Sequence, residues 1–479
     1  MVRVLRGLYE GPGSHGVLRV ASSMEKVHAV LRAMPGEGYF PALQQRIERA
    51  GKPSSVTLSP VWKRPEDTNS PGDPGRDLAF VVRNHPEAEA VVLTRSEATL
   101  LLGEPPPEPG PQRNPLTGRE TKVVACNWET ADILETEAAE LVLEDLVRAH
   151  AVATGRSEKP SVNLFGPLIF GPGVRAEYDE AERLMGLLGL EVNARVPLDA
   201  EPGDLARLTR AWVNVLLYRE VGESATLYLQ DAFQMPRVTT PMIGTSGTGA
   251  ALKTVGRLCE LDHDAVRRTL WAELSRTARL PWYARLAPPE LFEGRRAFIF
   301  GDFTYSLGLG HTLSREVGLE VPYCGTYMAH LGRDFKFHAE TFAEEAFVTD
   351  DPEEVAERIE RNGPDLVIGT HLERDVADSL DIPFLPLCPP VAEHPFIERP
   401  MLGYSGSGVL ADMLEAALGR REERPGPKRP SLAWTEEAME ELEEVPAFLR
   451  GRARRLAEEH AREDGSPEVT REIFLASRP

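Results

Sequence analysis

The sequence predicts an α/β protein with three doubly wound, Rossmann-like parallel sheets and a small helical domain at its carboxyl terminus. Short apolar runs rich in Val, Ile, Leu and Phe alternate with longer amphipathic segments, a pattern typical of parallel sheets that helices cover on both faces. Prolines are concentrated at 104–115 and 421–430, which predicts exposed connectors. The second connector precedes an amphipathic tail that begins at Trp434.

Each predicted domain has its own strand and helix patterns. The first contains the runs EAVVLTR and KVVACN, the second SVNLFGP and VNVLLY, and the third RAFIFGD, DLVIGTH and IPFLPLC. Segments between them, such as ETEAAELVLEDLVRAHAVA and EYDEAERLMGLLGL, have helical spacing. We place three α/β domains, a Pro/Arg-rich linker and a helical carboxyl-terminal domain at 1–150, 160–290, 295–419, 420–432 and 433–479.

Charge and hydropathy exclude several classes of function. The 54 Lys and Arg residues against 75 Asp and Glu residues give a net charge of −21, which argues against a nucleic-acid partner. No apolar run approaches the roughly 20 residues of a membrane helix, and the start MVRVLRGLYEGPG lacks the apolar stretch of a signal peptide. We therefore expect a cytoplasmic protein that does not insert into membranes.

Metal and nucleophile motifs are weak in this sequence. Its cysteines form no C-x-x-C pair, which predicts neither a zinc site nor a disulfide framework. No two histidines in 311–394 have the i, i+4 spacing of a helical metal site, and no G-x-S-x-G serine elbow is present. A histidine metal site and a common α/β serine hydrolase are therefore disfavoured.

Four loops follow predicted strands at the edge where open α/β sheets bind ligands. One of them, GTSGTG at 244–249, precedes a predicted helix, and the role of its backbone N–H groups has two interpretations. They either hold an anion or form a plain strand-to-helix turn, and the missing Gly-Lys-Ser/Thr of a P-loop favours the turn. ATP hydrolysis is therefore not expected on this chain. The four loops are FGP at 165–167, GTSGTG at 244–249, GDFTYS at 301–306 and GTHLER at 369–374.

The tail at 434–474 carries a specific string, WTEEAMEELEEVPAFLRGRARRLAEEHAREDGSPEVTREIF. It resembles the carboxyl-terminal domain of the B subunits of light-independent (dark-operative) protochlorophyllide reductases, nitrogenase-like oxidoreductases of the component 1 type. That domain pairs a Trp-x-x-Glu-Ala opening with a Val-Pro-x-Phe-x-Arg-Gly-x-Ala-Arg-Arg core and a Val-Thr-Arg-Glu close. The alternative is a packed helical appendage without further meaning.

The resemblance extends through all three predicted domains in the same order. The matching runs are YEGPGSHGVLRVASSMEKVHAVLRAMPGEGYF in the first domain, NLFGPLIFG, DLARLTRAWVNVLLY and PMIGTSGTG in the second, and LPWYARLAPPELFEGRRAFIFGDFTYSLG, FVTDD, IGTHLERDVADSLDIP and MLGYSGSGVLAD in the third. This order implies the nitrogenase component 1 fold.

Membership of that family implies a particular reaction and assembly. The B-type chain pairs with an N-type chain in a heterotetramer, and the two share a [4Fe-4S] cluster that takes three cysteines from the N type and one aspartate from the B type. A transient L protein binds Mg-ATP, hydrolyses it and delivers electrons one at a time. The complex reduces one double bond of a tetrapyrrole, converting protochlorophyllide to chlorophyllide in (bacterio)chlorophyll biosynthesis.

Carried onto this sequence, the family's site residues change. The aspartate ligand falls on Glu37, which keeps a carboxylate oxygen for iron on a longer arm. A cysteine that members carry after the next strand falls at Arg95 or Ser96. The family's proton-donating aspartate falls on Pro288, which has no ionisable group, so Glu290 is the candidate acid. The alternative for Glu290 is an exposed glutamate at a helix start.

Two further positions concern the substrate. The family's histidine in a Pro-Val-His segment falls on Ala392, and His394 stands two residues on. The stretch that contacts substrate maps to Gly419 and Arg420. Because the cysteines here are scattered, most thiolates for a cluster must come from another chain.

The leading hypothesis is a B-type catalytic subunit of an ATP-dependent protochlorophyllide reductase. Three alternatives stay open, of which the altered positions favour the first and only the general fold favours the third. The first is a paralogue that reduces a different conjugated substrate. The second is a non-catalytic carrier or scaffold for a tetrapyrrole or cluster. The third is a solute-binding or nucleotide-sugar protein with similar α/β domains. In an active complex without the family's acid, the substrate's own carboxylic acid, a partner residue or water is the alternative proton source.

Overall fold

The computed structural model describes most of the chain as two compact units. One unit comprises 1–242, 247–273 and 394–403, and the other comprises 243–246, 274–393 and 404–479. The described residues are 8–34, 37, 55–61, 74–104, 112–114, 116–128, 132–168, 173–278, 292, 294–391, 399–419, 432–445, 453–454, 456–458, 460–461 and 464–477.

The first sheet lies in the first unit and is parallel except at one edge. Its central strands are buried along their whole length, because helices cover both faces, which explains the continuous apolar runs. In spatial order the strands are β2 (Val56–Pro60), β1 (Val27–Ala33), β3 (Ala90–Arg95), β5 (Glu120–Ala125) and the antiparallel β4 (Gln112–Arg113). The helices are α1 (Gly13–Ser23), α2 (Pro74–Asn84), α3 (Glu97–Leu101) and α4 (Glu135–His150).

The second sheet, also in the first unit, is parallel throughout. Its strands in spatial order are β7 (Glu191–Val196), β6 (Ser161–Phe165), β8 (Val213–Leu216) and β9 (Arg237–Val238). The helices of this region are α5 (Val174–Leu187), α6 (Pro202–Ala206), α7 (Arg219–Phe233), α8 (Gly244–Leu258) and α9 (His263–Ala278), with a 3-10 turn at Leu208–Arg210.

The third sheet belongs to the second unit and is doubly wound, with the first strand of the sheet at its centre. In spatial order its parallel strands are β12 (Glu345–Val348), β11 (Glu320–Thr326), β10 (Arg296–Gly301), β13 (Leu366–Gly369) and β14 (Phe384–Pro386). The helices are α10 (Phe303–Thr312), α11 (Gly332–Ala339), α12 (Pro352–Asn362), α13 (Arg374–Ser379) and α14 (Gly403–Gly419), with a π-helical turn at Leu313–Val317 and a 3-10 turn at Ala329–Leu331.

Local sequence signals mark the ends of these helices. Asp351 caps α12 by accepting a hydrogen bond from the N–H of Glu353, and Pro352 occupies the first helical position. Gly363 ends the same helix in the left-handed conformation, with φ of 49°. The helix therefore begins and ends where its own residues satisfy the terminal backbone groups.

The tail forms a small core of its own. It contains β15 (Ala433–Trp434), α15 (Glu436–Glu444), β16 (Glu468–Val469) and α16 (Arg471–Ala476), and the two short strands pair in parallel. Thr435 and Thr470 cap the two helices through their hydroxyl oxygens. The buried apolar side chains of this core are Ala438, Leu442, Ala457, Ala461, Val469 and Phe474.

These sheets and helices confirm the predicted fold class. The domain boundaries proposed from the sequence stay predictions. Across the described ranges, none of the helices combines the length and the apolar character needed to span a bilayer.

A close contact between α1 and α4 joins the first two sheets into one core. Three glycines make it possible: a Cβ at Gly13 would lie 2.5 Å from the carbonyl oxygen of Ile133, and one at Gly16 would overlap the carbonyl oxygen of Glu135. A Cβ at Gly11 would lie 2.6 Å from the Glu135 carboxylate. The core cluster around α1 and α4 includes side chains from both sheets.

We predict that Gly16→Ala destabilises the protein by about 1–3 kcal/mol, because the added methyl group meets backbone that must move. Gly186→Ala is the matched control, since a Cβ on this exposed helical glycine meets nothing within 4 Å and gains up to about 1 kcal/mol of helix propensity. Thermal unfolding of the purified variants measures both. Equal unfolding temperatures for the two variants would contradict the close contact.

A buried carboxyl group connects α4 to α7. Oε1 of Glu140 accepts hydrogen bonds from the N–H and the hydroxyl of Ser224, at 2.8 and 2.6 Å. Burial raises the pKa of Glu140 from 4.5 to about 7 despite these bonds. The folded state therefore keeps this proton at pH values where the unfolded chain has lost it.

It follows that this group's contribution to stability decreases as pH rises from about 4.5 to about 7. We predict that Glu140→Gln, which stays neutral, is more stable than the unmodified protein at pH 8 by about 2 kcal/mol and loses this advantage at pH 5. Unfolding temperatures at the two pH values measure the difference. Glu144→Gln on the same helix is the control, and a pH-independent effect of Glu140→Gln would refute the shifted titration.

Candidate functional site

The candidate site lies at the carboxyl edge of the first sheet, between the ends of β1 and β3. The chain passes from β1 to β2 on one side and then to β3 on the other, so the strand order reverses direction here. Crevices at such points are where open α/β sheets bind ligands. Glu37 follows β1 and Ser96 follows β3, so both lie at this edge.

Glu37 is held by its own loop and by the neighbouring strand. Its N–H donates to the carbonyl oxygen of Met34 at 3.2 Å, and its side chain folds back so that Oε2 accepts the N–H of Met34. Oε2 also accepts the hydroxyl of Ser96, at 2.7 Å. Both hydrogen bonds that the described residues make to this carboxyl group therefore end on Oε2.

Ser96 caps helix α3 while it contacts Glu37. Its Oγ accepts the N–H of Thr99 at 3.3 Å, and its own N–H donates to the carbonyl oxygen of Arg32 at 2.8 Å. Ser96 is buried, as is Thr99. The hydroxyl is thus anchored to β1 and α3, which fixes where it meets the carboxylate of Glu37.

A buried ion pair supports the same edge. Arg32, which is 1% exposed, donates through Nε and Nη2 to Oε1 of Glu104. Arg95 donates to the carbonyl oxygens of Glu104 and Trp128. Removing one partner of a buried pair typically costs about 3–5 kcal/mol, so this pair holds the ends of both strands in place.

The amino end of α1 binds carboxylates of this same chain. The N–H and hydroxyl of Ser14 donate to Glu97 at 2.9 and 3.0 Å, and the N–H of Gly11 donates to Glu135 at 3.0 Å. Glu135 also forms an ion pair with Arg19. These donors are therefore occupied by internal partners, as the positive end of a helix favours.

Two titratable groups beside α1 have shifted pKa values. Burial raises the pKa of Glu10 from 4.5 to about 7, although the N–H of Thr136 donates to its carboxyl group at 3.1 Å. Burial lowers the pKa of His15, against the opposing charges of Glu135 and Glu97. Near neutral pH this region therefore contains a carboxyl group that is partly protonated and an imidazole that favours its neutral form.

The cysteines are unsuited to binding a cluster on their own. All four are buried, and burial raises each thiol pKa, to about 11 for Cys259. Thiolate is the form that binds metals. Within the described ranges, no three His, Cys, Asp or Glu side chains come together to hold a metal ion. A [4Fe-4S] cluster would therefore need its thiolates from another chain, and the carboxylate of Glu37 is the ligand that the sequence predicts from this one.

The GTSGTG loop forms the start of α8, and an internal carboxylate occupies it. Glu316 accepts the N–H of Thr245 at 2.9 Å, the N–H of Ser246 at 2.8 Å and the hydroxyl of Thr245 at 2.6 Å. The backbone donors at 245–246 thus have a partner within the chain. This favours the strand-to-helix turn over an external anion site.

Two other loops at strand ends also satisfy their own polar groups. Asp302 follows β10 and accepts the N–H of Tyr305 at 3.1 Å, which caps α10. After β13, the N–H and hydroxyl of Thr370 both donate to Glu373 at 2.7 Å. These contacts order the edge of the third sheet.

Only part of the predicted site lies within the described residues. Glu37, Arg95 and Ser96 meet at the edge of the first sheet, and Gly419 is the last residue of α14 in the second unit. The remaining predicted positions, Pro288, Glu290, Ala392, His394 and Arg420, lie outside the described residues.

The bond between Ser96 and Glu37 was not predicted from the sequence. Ser96 entered only as the position of a lost cysteine, and 59 positions separate it from Glu37. The available signal is that both residues follow neighbouring parallel strands, whose carboxyl ends share one edge of the sheet.

Comparisons with known proteins agree with the resemblance seen in the sequence. Residues 110–418 match the family model of nitrogenase component 1 type oxidoreductases, and 434–478 match that of the proto-chlorophyllide reductase 57 kD subunit. The B-type chain of the light-independent protochlorophyllide reductase of Gloeothece citriformis is 30% identical over 510 residues, which cover 98% of each chain. Its counterpart in Chloroflexus aurantiacus is 30% identical over 545 residues, covering 100% of this chain and 99% of the relative.

A solved structure of nitrogenase Cp1 at pH 6.5 has the same fold. It superimposes with a TM-score of 0.69 over 89% of this chain and 96% of its own, at 16% sequence identity. The predicted family resemblance and the predicted component 1 fold are both confirmed.

We predict that Glu316→Ala lowers stability by about 1–2 kcal/mol, because it leaves the donors at the start of α8 without their carboxylate. Thermal unfolding measures the loss. Glu340→Ala removes an exposed glutamate of the same unit and is the control. If the two variants unfold at the same temperature, Glu316 does not cap α8.

Proposed function

Because this chain belongs to the family of nitrogenase component 1 type oxidoreductases, we propose that it is the B-type catalytic subunit of a light-independent protochlorophyllide reductase. It then acts in (bacterio)chlorophyll biosynthesis. The complex adds two electrons and two protons across one double bond of the tetrapyrrole, which gives chlorophyllide.

The tail carries this proposal. The component 1 fold is common to nitrogenase itself, so the three α/β sheets alone do not select a substrate. The segment at 434–478, by contrast, matches a family defined by protochlorophyllide reductase, and the relatives at 30% identity share the full length. Both observations favour a tetrapyrrole over other substrates of nitrogenase-like enzymes.

The family also implies iron–sulfur chemistry within a complex of several subunits. We propose an N-like partner that shares a [4Fe-4S] cluster with this chain in a heterotetramer, and a transient L-like iron–sulfur protein that binds and hydrolyses Mg-ATP. When bound, the cluster accepts and donates single electrons at the edge of the first sheet. The buried, protonated thiols of this chain favour a cluster whose thiolates come from the partner.

Each site residue then has a proposed role. Glu37 gives the carboxylate oxygen that completes the cluster, and its hydrogen bonds to Met34 and Ser96 support a fixed orientation. Gly419 and Arg420 contact the substrate. Glu290 donates a proton to the reduced double bond in place of the acid that Pro288 lacks.

The replaced residues favour one second candidate function. Pro288 and Ala392 stand where the family has an acid and a histidine, and Arg95 or Ser96 stands where it has a cysteine. A paralogue that reduces another conjugated substrate explains these three changes together. It predicts an intact cluster in a complex that leaves protochlorophyllide unchanged.

The test is an anaerobic assay of the whole complex. The chain is co-purified with its N-like partner and supplied with the L-like protein, Mg-ATP, dithionite and protochlorophyllide, and the absorption spectrum is followed. We expect the chlorophyllide band to appear only with Mg-ATP. An intact cluster signal without this band would replace the proposal by the paralogue or by a carrier.

In the same assay, we predict that Glu290→Gln lowers kcat by about 100-fold while the cluster signal stays intact, because general acid catalysis contributes at least this much. Glu293→Gln, three residues away, is the matched control and keeps full activity. If both variants retain full activity, the proton comes from the substrate, the partner or water.

A further inference from the structure

The carboxyl group of Glu37 uses its two oxygens differently. Oε2 accepts the hydroxyl of Ser96 at 2.7 Å and the N–H of Met34, whereas the described residues direct no hydrogen bond to Oε1. A carboxylate with one oxygen held by donors presents its other oxygen to a cation. The longer arm of glutamate permits this, because its side chain folds back onto the N–H three residues earlier.

The hydroxyl proton of Ser96 has one strong hydrogen-bond acceptor within reach. Its Oγ accepts the N–H of Thr99, and its single proton can be donated to only one acceptor. A second acceptor for the Ser96 proton, the hydroxyl oxygen of Thr99, is 3.3 Å away. The Thr99 hydroxyl itself donates to the carbonyl oxygens of Ser96, at 2.8 Å, or Arg32, at 3.2 Å. The carboxylate at 2.7 Å is the nearer and stronger acceptor.

We propose that Ser96 is a positioning residue for the cluster ligand: its hydroxyl, together with the N–H of Met34, holds Oε2 of Glu37 and leaves Oε1 to bind iron. This inference rests on the proposed function. Ser96 contacts neither iron nor substrate in this arrangement. It acts through Glu37, and its own backbone N–H is held by the carbonyl oxygen of Arg32 in β1.

A hydrogen bond to a ligating carboxylate changes the reduction potential of the metal as well as the orientation of the ligand. It withdraws negative charge from the carboxylate, so the ligand donates less charge to iron and reduction becomes easier. Removing the hydroxyl therefore moves the midpoint potential of the cluster to more negative values. We expect about a tenfold change in the one-electron equilibrium, which equals about 59 mV.

The experiment measures the cluster spectroscopically in the purified heterotetramer. Ser96→Ala and Ser96→Gly remove the hydroxyl, and glycine is tolerated at a helix N-cap far better than alanine. Ser96→Thr keeps a hydroxyl. We expect a more negative potential and an altered electron paramagnetic resonance signal for the first two variants, with restoration by threonine.

Two further variants separate the inference from the proposed function. Ser23→Ala removes a buried hydroxyl at the other end of the sheet, where α1 leads into β1, and is expected to leave the potential unchanged. Glu37→Gln tests ligation itself. If Glu37→Gln changes the cluster signal but Ser96→Ala and Ser96→Gly do not, the positioning role is wrong and ligation stands. If Glu37→Gln also leaves the signal unchanged, the proposed ligand and the inference both fail.

Discussion

The close approach of α1 to α4 is the constraint on which the first unit depends. Gly13 and Gly16 let the start of α1 approach the backbone at the start of α4 closely, and the core that results includes residues of both the first and the second sheet. The same contact brings Gly11 to Glu135 and the start of α1 to Glu97, which directly follows Ser96. The packing of α1 therefore also positions Glu97, the residue next to Ser96 at the candidate site.

A series of polar contacts at the edge of the first sheet orients Glu37. Arg32 and Glu104 are buried and paired, so they act as a frame. Ser96 is fixed by that frame and by α3, and Glu37 is fixed by Ser96. The carboxylate of Glu37 thereby acquires a defined orientation from hydrogen bonds alone.

Much of this fold was predictable from hydrophobic patterns alone. The run EAVVLTR became β3 and DLVIGTH became β13, because short apolar runs rich in β-branched residues suit the middle of a sheet that is covered on both faces. The two-residue strands β15 and β16 were not predictable, since two residues carry no periodicity and pair only after the tail has folded. Side-chain partners that are far apart in the sequence were also not predictable, because only the folded chain brings them together: Glu316 lies 71 positions from Thr245. Glu37 was singled out as a candidate ligand by family resemblance, whereas its hydrogen bonds became evident only in the structure.

The self-contained core of the tail has an evolutionary meaning. Its buried side chains, from Ala438 to Phe474, pack mainly on one another, and its two strands pair within the segment. A segment of this kind can be gained, lost or exchanged by recombination without redesign of the sheets that precede it. The separate family match of 434–478 agrees with such a history. Specialisation within nitrogenase-like proteins can therefore proceed by the addition of a module to an older fold, while the sheets that precede it keep their architecture.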